Sequence, residues 1–331
     1  MRKTCTLPPY PIYNVLMNIL VTKGWYEAPD HIEEIMAMGY TVYYIEHEDD
    51  PLPCDPAIIN GVICCKAFNY HPIEEFTNLR FIQVESVGYD RVPNEYAKAH
   101  DIMVYNVGVT YAGPMSEYII CHLLDWYRNT NQELVNRINK GWDRNFNKQE
   151  LSGRTVCIIG TGNIAKYTAK KLKGFDCKVL AISHTARDIA YIDEVRSYNI
   201  LHETLAESDI VIIATPPDKV LSDFLAAEES GSGFMPVIGA RELAAMKRSA
   251  LLVNVARGTQ VDEPALIEAL QNGTIRGAIL DVFQEEPLPV DSPLWNCKNA
   301  ILTPHSSYIG EGNADRLWSI IKTNLLLEKG L

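Results

Sequence analysis

Three short stretches of this chain place chemically able side chains directly behind apolar runs. Val253-Asn254-Val255-Ala256 leads into Arg257-Gly258, Leu280-Asp281-Val282-Phe283 into Glu286-Pro287, and Leu302-Thr303-Pro304 into His305. Each polar group follows the C-terminal end of an expected parallel strand, the edge at which open α/β sheets hold ligands. Arg257 offers a rigid fork of donors that matches a carboxylate and can polarise a neighbouring carbonyl oxygen. His305 can give up a proton as imidazolium and regain it near neutral pH. Glu286 can bond the other ring nitrogen, holding the ring and favouring its protonated form. Reducing a 2-oxo acid needs these functions and a hydride. Singly, each residue has an ordinary explanation: a histidine after proline is commonly a loop residue, Glu-Pro a turn, Arg-Gly a helix entry. Their conjunction behind a nucleotide motif carries the catalytic reading.

That motif is Gly160-Thr161-Gly162-Asn163-Ile164-Ala165, preceded by the apolar run Val156 to Ile159. The first glycine allows a tight turn, the second lets backbone approach a pyrophosphate, and Ala165 is small enough for helix–strand packing. Phosphate oxygens then face the free N–H groups at a helix start. A Gly-rich turn alone is weak; the strand before it and the helix after it make it a dinucleotide site. Asn163 and Ile164 of this turn, with Thr215, Pro216 and Val255 at later strand ends, are the other expected cofactor contacts. The following strand ends in Ser183-His184-Thr185-Ala186-Arg187. NAD-binding folds usually place an acidic residue there for the ribose hydroxyls. Ser183, His184, Thr185 and Arg187 instead suit a 2′-phosphate, so NADP is expected in preference to NAD. Asp281 is expected at the nicotinamide carboxamide, and the nicotinamide supplies the hydride.

The 331 residues allow two domains, and 47% apolar with 22% charged residues is ordinary for a soluble protein. A net charge of −12 argues against nucleic acid and anionic membranes as partners. The lysines at 166, 170, 171 and 173 read as one solvated helix face. None of the eight cysteines forms a CxxC pair, so no metal is expected, and their apolar settings suit a reducing, cytoplasmic location. Neither a signal peptide nor a membrane span is expected.

To position these groups the chain must alternate strands and helices. Apolar runs predict strands at 17–21, 40–45, 57–65, 81–84 and 102–105, then at 155–159, 178–183, 210–214, 250–255, 277–282 and 300–303. The near-continuous runs of the second series suit a parallel sheet buried on both faces. Ile119, Ile120, Leu123, Leu124 and Tyr127 predict one long helix over 115–140. Residues 219–237 read as an exposed Gly/Ser loop.

These phrases, with Ser86-Val87-Gly88-Tyr89-Asp90, resemble the D-isomer-specific 2-hydroxyacid dehydrogenase family over essentially the whole chain. In the cofactor region the chain is most similar to the NADP-preferring glyoxylate/hydroxypyruvate reductases. The resemblance implies an α/β fold of two doubly wound parallel-sheet domains, with a Rossmann cofactor domain (108–304) inserted into a flavodoxin-like substrate domain (1–107 and 305–331). It implies Arg257, Glu286 and His305 as the catalytic residues, and backbone N–H groups of Ser86, Val87 and Gly88 as carboxylate donors. It further implies a cleft hinging near residues 107 and 305, and a homodimer through the cofactor domains. Trp142 would either reach a partner's site or pack at the contact. Phe68 and Tyr70 are expected beside the substrate side chain, which points to a larger or apolar 2-oxo acid. Residues 219–237 form a longer loop than the family usually has. Dinucleotide-sensing regulators of corepressor type share this fold. They usually carry interaction tails, which this chain is not expected to have.

Overall fold

The computed structural model describes residues 16–23, 28–184, 187–215 and 236–330. Thr185, Pro216 and most of the 219–237 stretch lie outside the described residues. The chain divides into two compact units, Met1–Thr110 with Glu311–Leu331, and Tyr111–Gly310. The sequence expectation put the breaks slightly earlier, at 107/108 and 304/305.

In the first unit β1 (Met17–Thr22), α1 (Ile32–Ala37), β2 (Tyr40–Ile45), β3 (Gly61–Cys64), β4 (Phe81–Val84), α2 (Asn94–Ala99) and β5 (Met103–Tyr105) follow in order. The strands are parallel and ordered β2-β1-β3-β4-β5. Strand β3 is shorter than its apolar run predicts. Pro56 opens a 3-10 turn over Pro56–Ile58, capped by the Asp55 side chain on the Ala57 N–H, so pairing starts only at Gly61. The last helix of the chain completes this unit; it is numbered α9 below.

In the second unit α3 (Ala112–Arg128) and α4 (Thr130–Ile138) precede β6 (Thr155–Ile159), α5 (Asn163–Lys173), β7 (Lys178–Ile182), β8 (Glu194–Arg196), α6 (Leu201–Glu207) and β9 (Ile210–Ile213). Then come α7 (Ala240–Ala245), β10 (Leu251–Asn254), α8 (Glu263–Asn272), β11 (Gly277–Leu280) and β12 (Ala300–Leu302). The seven parallel strands run β12-β11-β10-β9-β6-β7-β8. Because side chains alternate along a strand, Cys157 and Ile159 join one apolar cluster while Val156 and Ile158 join the other. All four are fully buried, which is why the run reads as uniformly apolar. The single helix expected over 115–140 is in fact two. Asn129 takes the left-handed conformation (φ 53°, ψ 49°), which ends α3 and starts α4. Asparagine tolerates that conformation better than most residues.

Helix α9 (Asn313–Glu328) buries Leu317, Ile321 and Leu325 and ties itself to the first unit by polar contacts. Tyr40 Oη donates to the Leu325 carbonyl at 2.8 Å, Asn324 Nδ2 to Gln83 Oε1 at 2.7 Å, and Tyr105 Oη to Glu328 Oε1 at 2.6 Å.

Candidate active site

Strand β6 ends at Ile159, and the chain turns at Gly160 with φ +111°. A Cβ at this position would stand 2.8 Å from the Ala214 carbonyl oxygen, so only glycine fits. Gly162 begins α5 with no side-chain cap, and a Cβ there would meet nothing within 4 Å. Backbone N–H groups at the start of an eleven-residue helix thus face open space, the cradle that a pyrophosphate requires. Ala165 is fully buried where the helix packs on the sheet. Asn163 and Ile164 open the same helix. These residues fit a dinucleotide.

Beside the turn, the Ser183 N–H bonds the Arg196 carbonyl at 2.9 Å, extending the β7–β8 pairing. Its hydroxyl lies 3.3 Å from Thr161 Oγ1, which also accepts from Arg187 Nη2 at 3.4 Å. Thr161, Ser183 and Arg187 therefore form one cluster of hydroxyl and guanidinium donors. Thr161 was missed in the sequence; its place between the two glycines, level with the end of the next strand, is the signal that marks it. The His184 ring packs 4.7 Å from that of Tyr198. Val255 is buried and Thr215 nearly so, with the Thr215 carbonyl taken by Gln260 Nε2.

Arg257, Glu286 and His305 follow the ends of the adjacent strands β10, β11 and β12, which at normal strand spacing span about 10 Å. The buried Asn254 side chain shapes the first loop, donating to the Arg257 carbonyl at 2.9 Å and accepting from the Ala256 N–H at 3.1 Å. Arg257 Nη1 donates to the Ala256 carbonyl at 2.9 Å. Gly258 lies so close to the next loop that a Cβ would stand 1.9 Å from the Phe283 carbonyl carbon. Glu286 joins that loop to the third: Oε1 accepts from the Phe283 N–H at 3.0 Å and Oε2 from His305 Nδ1 at 2.7 Å. His305 keeps 37% of its side chain exposed and Glu286 34%, so the pair stays within reach of a small substrate. His305 itself has φ +49°, a strained conformation.

Asp281 holds that strain. It is fully buried; Oδ1 accepts from the Ser306 N–H (2.8 Å) and Thr303 Oγ1 (2.7 Å), and Oδ2 from the Ser307 N–H (2.8 Å). Its carbonyl accepts from the His305 N–H at 2.9 Å. Its main work in this structure is to fix the histidine loop, so any carboxamide contact would be additional to these bonds. Tyr118 Oη, from α3, pairs with Thr303 Oγ1 behind it. Neither Asn254 nor Tyr118 was singled out in the sequence.

In the first unit, Ser86 Oγ donates to the Gly88 carbonyl at 2.8 Å, and Asn106 Nδ2 to the Val87 carbonyl at 2.8 Å. The carbonyls of this loop are thereby engaged, while among the described residues no acceptor meets the N–H groups of Ser86, Val87 and Gly88. Phe68 is partly buried, edge-on to Phe76 at 5.8 Å, and packs on the core. Tyr70, the other aromatic expected beside the substrate, is exposed. Trp142 is 89% exposed and Phe146 86%.

Residues 120–307 match the family described as "D-isomer specific 2-hydroxyacid dehydrogenase, NAD binding domain". A glyoxylate reductase of Thermococcus gammatolerans is 33% identical over 259 residues, covering 76% of this chain and 73% of its own. Glyoxylate/hydroxypyruvate reductase B of Yersinia pseudotuberculosis is 33% identical over 234 residues, covering 69% and 68%. Among solved structures, a D-isomer-specific 2-hydroxyacid dehydrogenase family protein from Aeromonas salmonicida superposes with a TM-score of 0.77 at 26% identity, over 96% of this chain and 97% of the other. An NADPH-dependent glyoxylate/hydroxypyruvate reductase from Sinorhizobium meliloti, in complex with citrate, gives 0.75 at 25% identity over 94% and 93%.

Proposed function

We propose, from the premise that the chain belongs to the D-isomer-specific 2-hydroxyacid dehydrogenase family, that it reduces a small 2-oxo acid to the D-2-hydroxy acid with NADPH. As a member of that family it is an NAD(P)-dependent oxidoreductase. The bound nicotinamide supplies the hydride for the carbonyl carbon. His305 gives the carbonyl oxygen its proton from Nε2, since Nδ1 is engaged by Glu286. Glu286 orients the ring and stabilises the imidazolium that precedes transfer. Arg257 binds the carboxylate and polarises the carbonyl oxygen. The N–H groups of Ser86, Val87 and Gly88 are further donors to the carboxylate. On this reading Tyr111–Gly310 is the cofactor domain and the other unit the substrate domain. The observation that carries the proposal is the 2.7 Å His305–Glu286 pair, set one strand from the Arg257 loop.

The cluster of Thr161, Ser183 and Arg187 favours NADP, because its hydroxyl and guanidinium donors suit a 2′-phosphate. A second copy of the chain would cover the apolar side chains of α4 and the arm after it, where Leu134, Val135, Ile138, Trp142 and Phe146 are exposed. The buried free thiols of Cys64, Cys157 and Cys177 suit a reducing, cytoplasmic setting. No described helix is long and apolar enough to cross a membrane.

The deciding experiment is a panel of 2-oxo acids followed by nicotinamide absorbance, with NADPH and NADH side by side. Reduction of at least one 2-oxo acid, faster with NADPH, is the expected result. No oxidation of either nucleotide by any of them would refute the reaction.

A further inference from the structure

The first unit holds a recess of its own at the carboxyl edge of its sheet, of about 310 Å³, with charges from Lys23, Glu46, Glu48, Asp49, Lys66 and Arg91. These residues follow β1, β2, β3 and β4. Strand order turns between β1 and β3, and such a switch point opens a crevice at the carboxyl edge.

Two of these six charges form a direct ion pair. Lys23 pairs with Glu46. Glu48 is buried and held by three hydrogen bonds: Oε1 accepts from the Thr22 hydroxyl (2.8 Å) and the Cys65 N–H (2.7 Å), and Oε2 from the Lys66 N–H (2.9 Å). Lys66 and Arg91 are different. The Lys66 ammonium stands 5.6 Å from the centre of the Tyr70 ring, and Arg91 Nη1 donates to Cys65 Sγ at 3.0 Å. Burial pushes the Cys65 thiol above its usual range, so its contact with Arg91 is not an ion pair. Among the described residues neither cation has a carboxylate at ion-pair distance; Glu48 acts on Lys66 only through space, so of the three cations that face three carboxylates in the recess, Lys66 and Arg91 are the two without a direct ion pair.

We propose that Lys66 and Arg91 take a second acidic group of the substrate, so that short 2-oxo dicarboxylates are preferred to 2-oxo acids with neutral tails. The proposal rests on the 2-oxo acid reading above and replaces the apolar tail expected from Phe68 and Tyr70. Spacing supports it. The Glu85 N–H donates to the Cys64 carbonyl at 3.0 Å, so the loops beginning at Cys65 and Ser86 leave the sheet side by side, about 5 Å apart. The two carboxylates of a short dicarboxylate are separated by roughly the same 5 Å of bonded carbon. One end can meet the N–H groups of Ser86 to Gly88 while the other meets Lys66 and Arg91.

The test compares kcat/KM for glyoxylate, 2-oxoglutarate and 2-oxopentanoate in the wild type and in Lys66→Met with Arg91→Met. The wild type is expected to favour 2-oxoglutarate over 2-oxopentanoate by about tenfold or more, the value of one charge-assisted hydrogen bond. The double variant is expected to lose that ratio. A wild type that favours the neutral tail, or a variant whose activity falls equally on all three acids, overturns the proposal. Failure of all three acids in the wild type would instead count against the reductase reading. The recess is then judged by calorimetric titration of 2-oxoglutarate, where tighter binding to the wild type than to the variant upholds the proposal and equal binding overturns it.

Discussion

The bond between His305 Nδ1 and Glu286 leaves Nε2 as the ring nitrogen that serves the substrate in the proposed reaction. Replacing His305 with alanine should lower kcat by about a hundredfold or more, as for loss of a general acid, while nucleotide affinity measured by fluorescence titration stays near the wild-type value. Unchanged turnover would remove His305 from the chemistry. The cofactor cluster gives a second expectation at this scale. Ser183→Asp with Arg187→Ala should move the NADPH/NADH ratio of kcat/KM towards NADH, because the new carboxylate repels a 2′-phosphate and accepts from the ribose hydroxyls. An unmoved ratio would show that the phosphate binds elsewhere. Arg257, Glu286 and His305 were legible in the sequence because each is a reactive type placed directly behind an apolar run. Asn254, Thr161 and Tyr118 were not. Their importance lies in where the fold brings an amide or hydroxyl, and nothing in their types distinguishes them from ordinary strand-end or helix residues. Phe68 illustrates the same point: its type and loop position do not reveal that its ring sits edge-on to Phe76.

At the scale of elements, the strand ends are held in register by close contacts that leave little latitude. Gly258→Ala would drive a methyl group into the Phe283 carbonyl and should cost about 3 kcal/mol, read from the urea midpoint, with loss of activity because Arg257 is the next residue. A midpoint within error of wild type would mean that the two loops can part freely. The opposite end of the sheet carries a pH dependence. Burial pushes the Asp209 carboxyl up, but the Thr155 N–H, Lys247 and Arg154 outweigh it and hold it below the ordinary range. A carboxylate with a depressed folded-state pKa stabilises fully above its unfolded pKa and loses that contribution as pH falls through the folded value. Asp209→Asn should therefore lower stability by about 2 kcal/mol near neutral pH, with the gap closing below about pH 4. A gap that stays constant down to acid pH would assign the loss to packing. Most strands were legible from their apolar runs. Strand β8 was not, because Glu194-Val195-Arg196 is a short edge strand with a single apolar residue. The break between α3 and α4 was hidden as well, since apolar residues continue on both sides of Asn129 and only its backbone angles end the helix.

For the whole molecule, the apolar arm is the feature most in need of a partner. Two aromatic side chains more than four-fifths exposed are costly to leave in water. Trp142→Ser with Phe146→Ser should shift a dimer towards monomer in sedimentation velocity, and a wild type that sediments as a monomer at every concentration would end the dimer proposal. The division into two units has its own consequence. Tyr111–Gly310 is a continuous stretch of chain, whereas the other unit closes only when α9 brings Leu317, Ile321 and Leu325 to it. On the ribosome the nucleotide-binding half can therefore mature first, while residues translated before it wait with an uncovered apolar seam until the final helix emerges. Chains truncated before Asn313 and released should be cut by protease within 28–110 sooner than within 236–310, and equal cutting of the two stretches would show that the first half closes without its last helix.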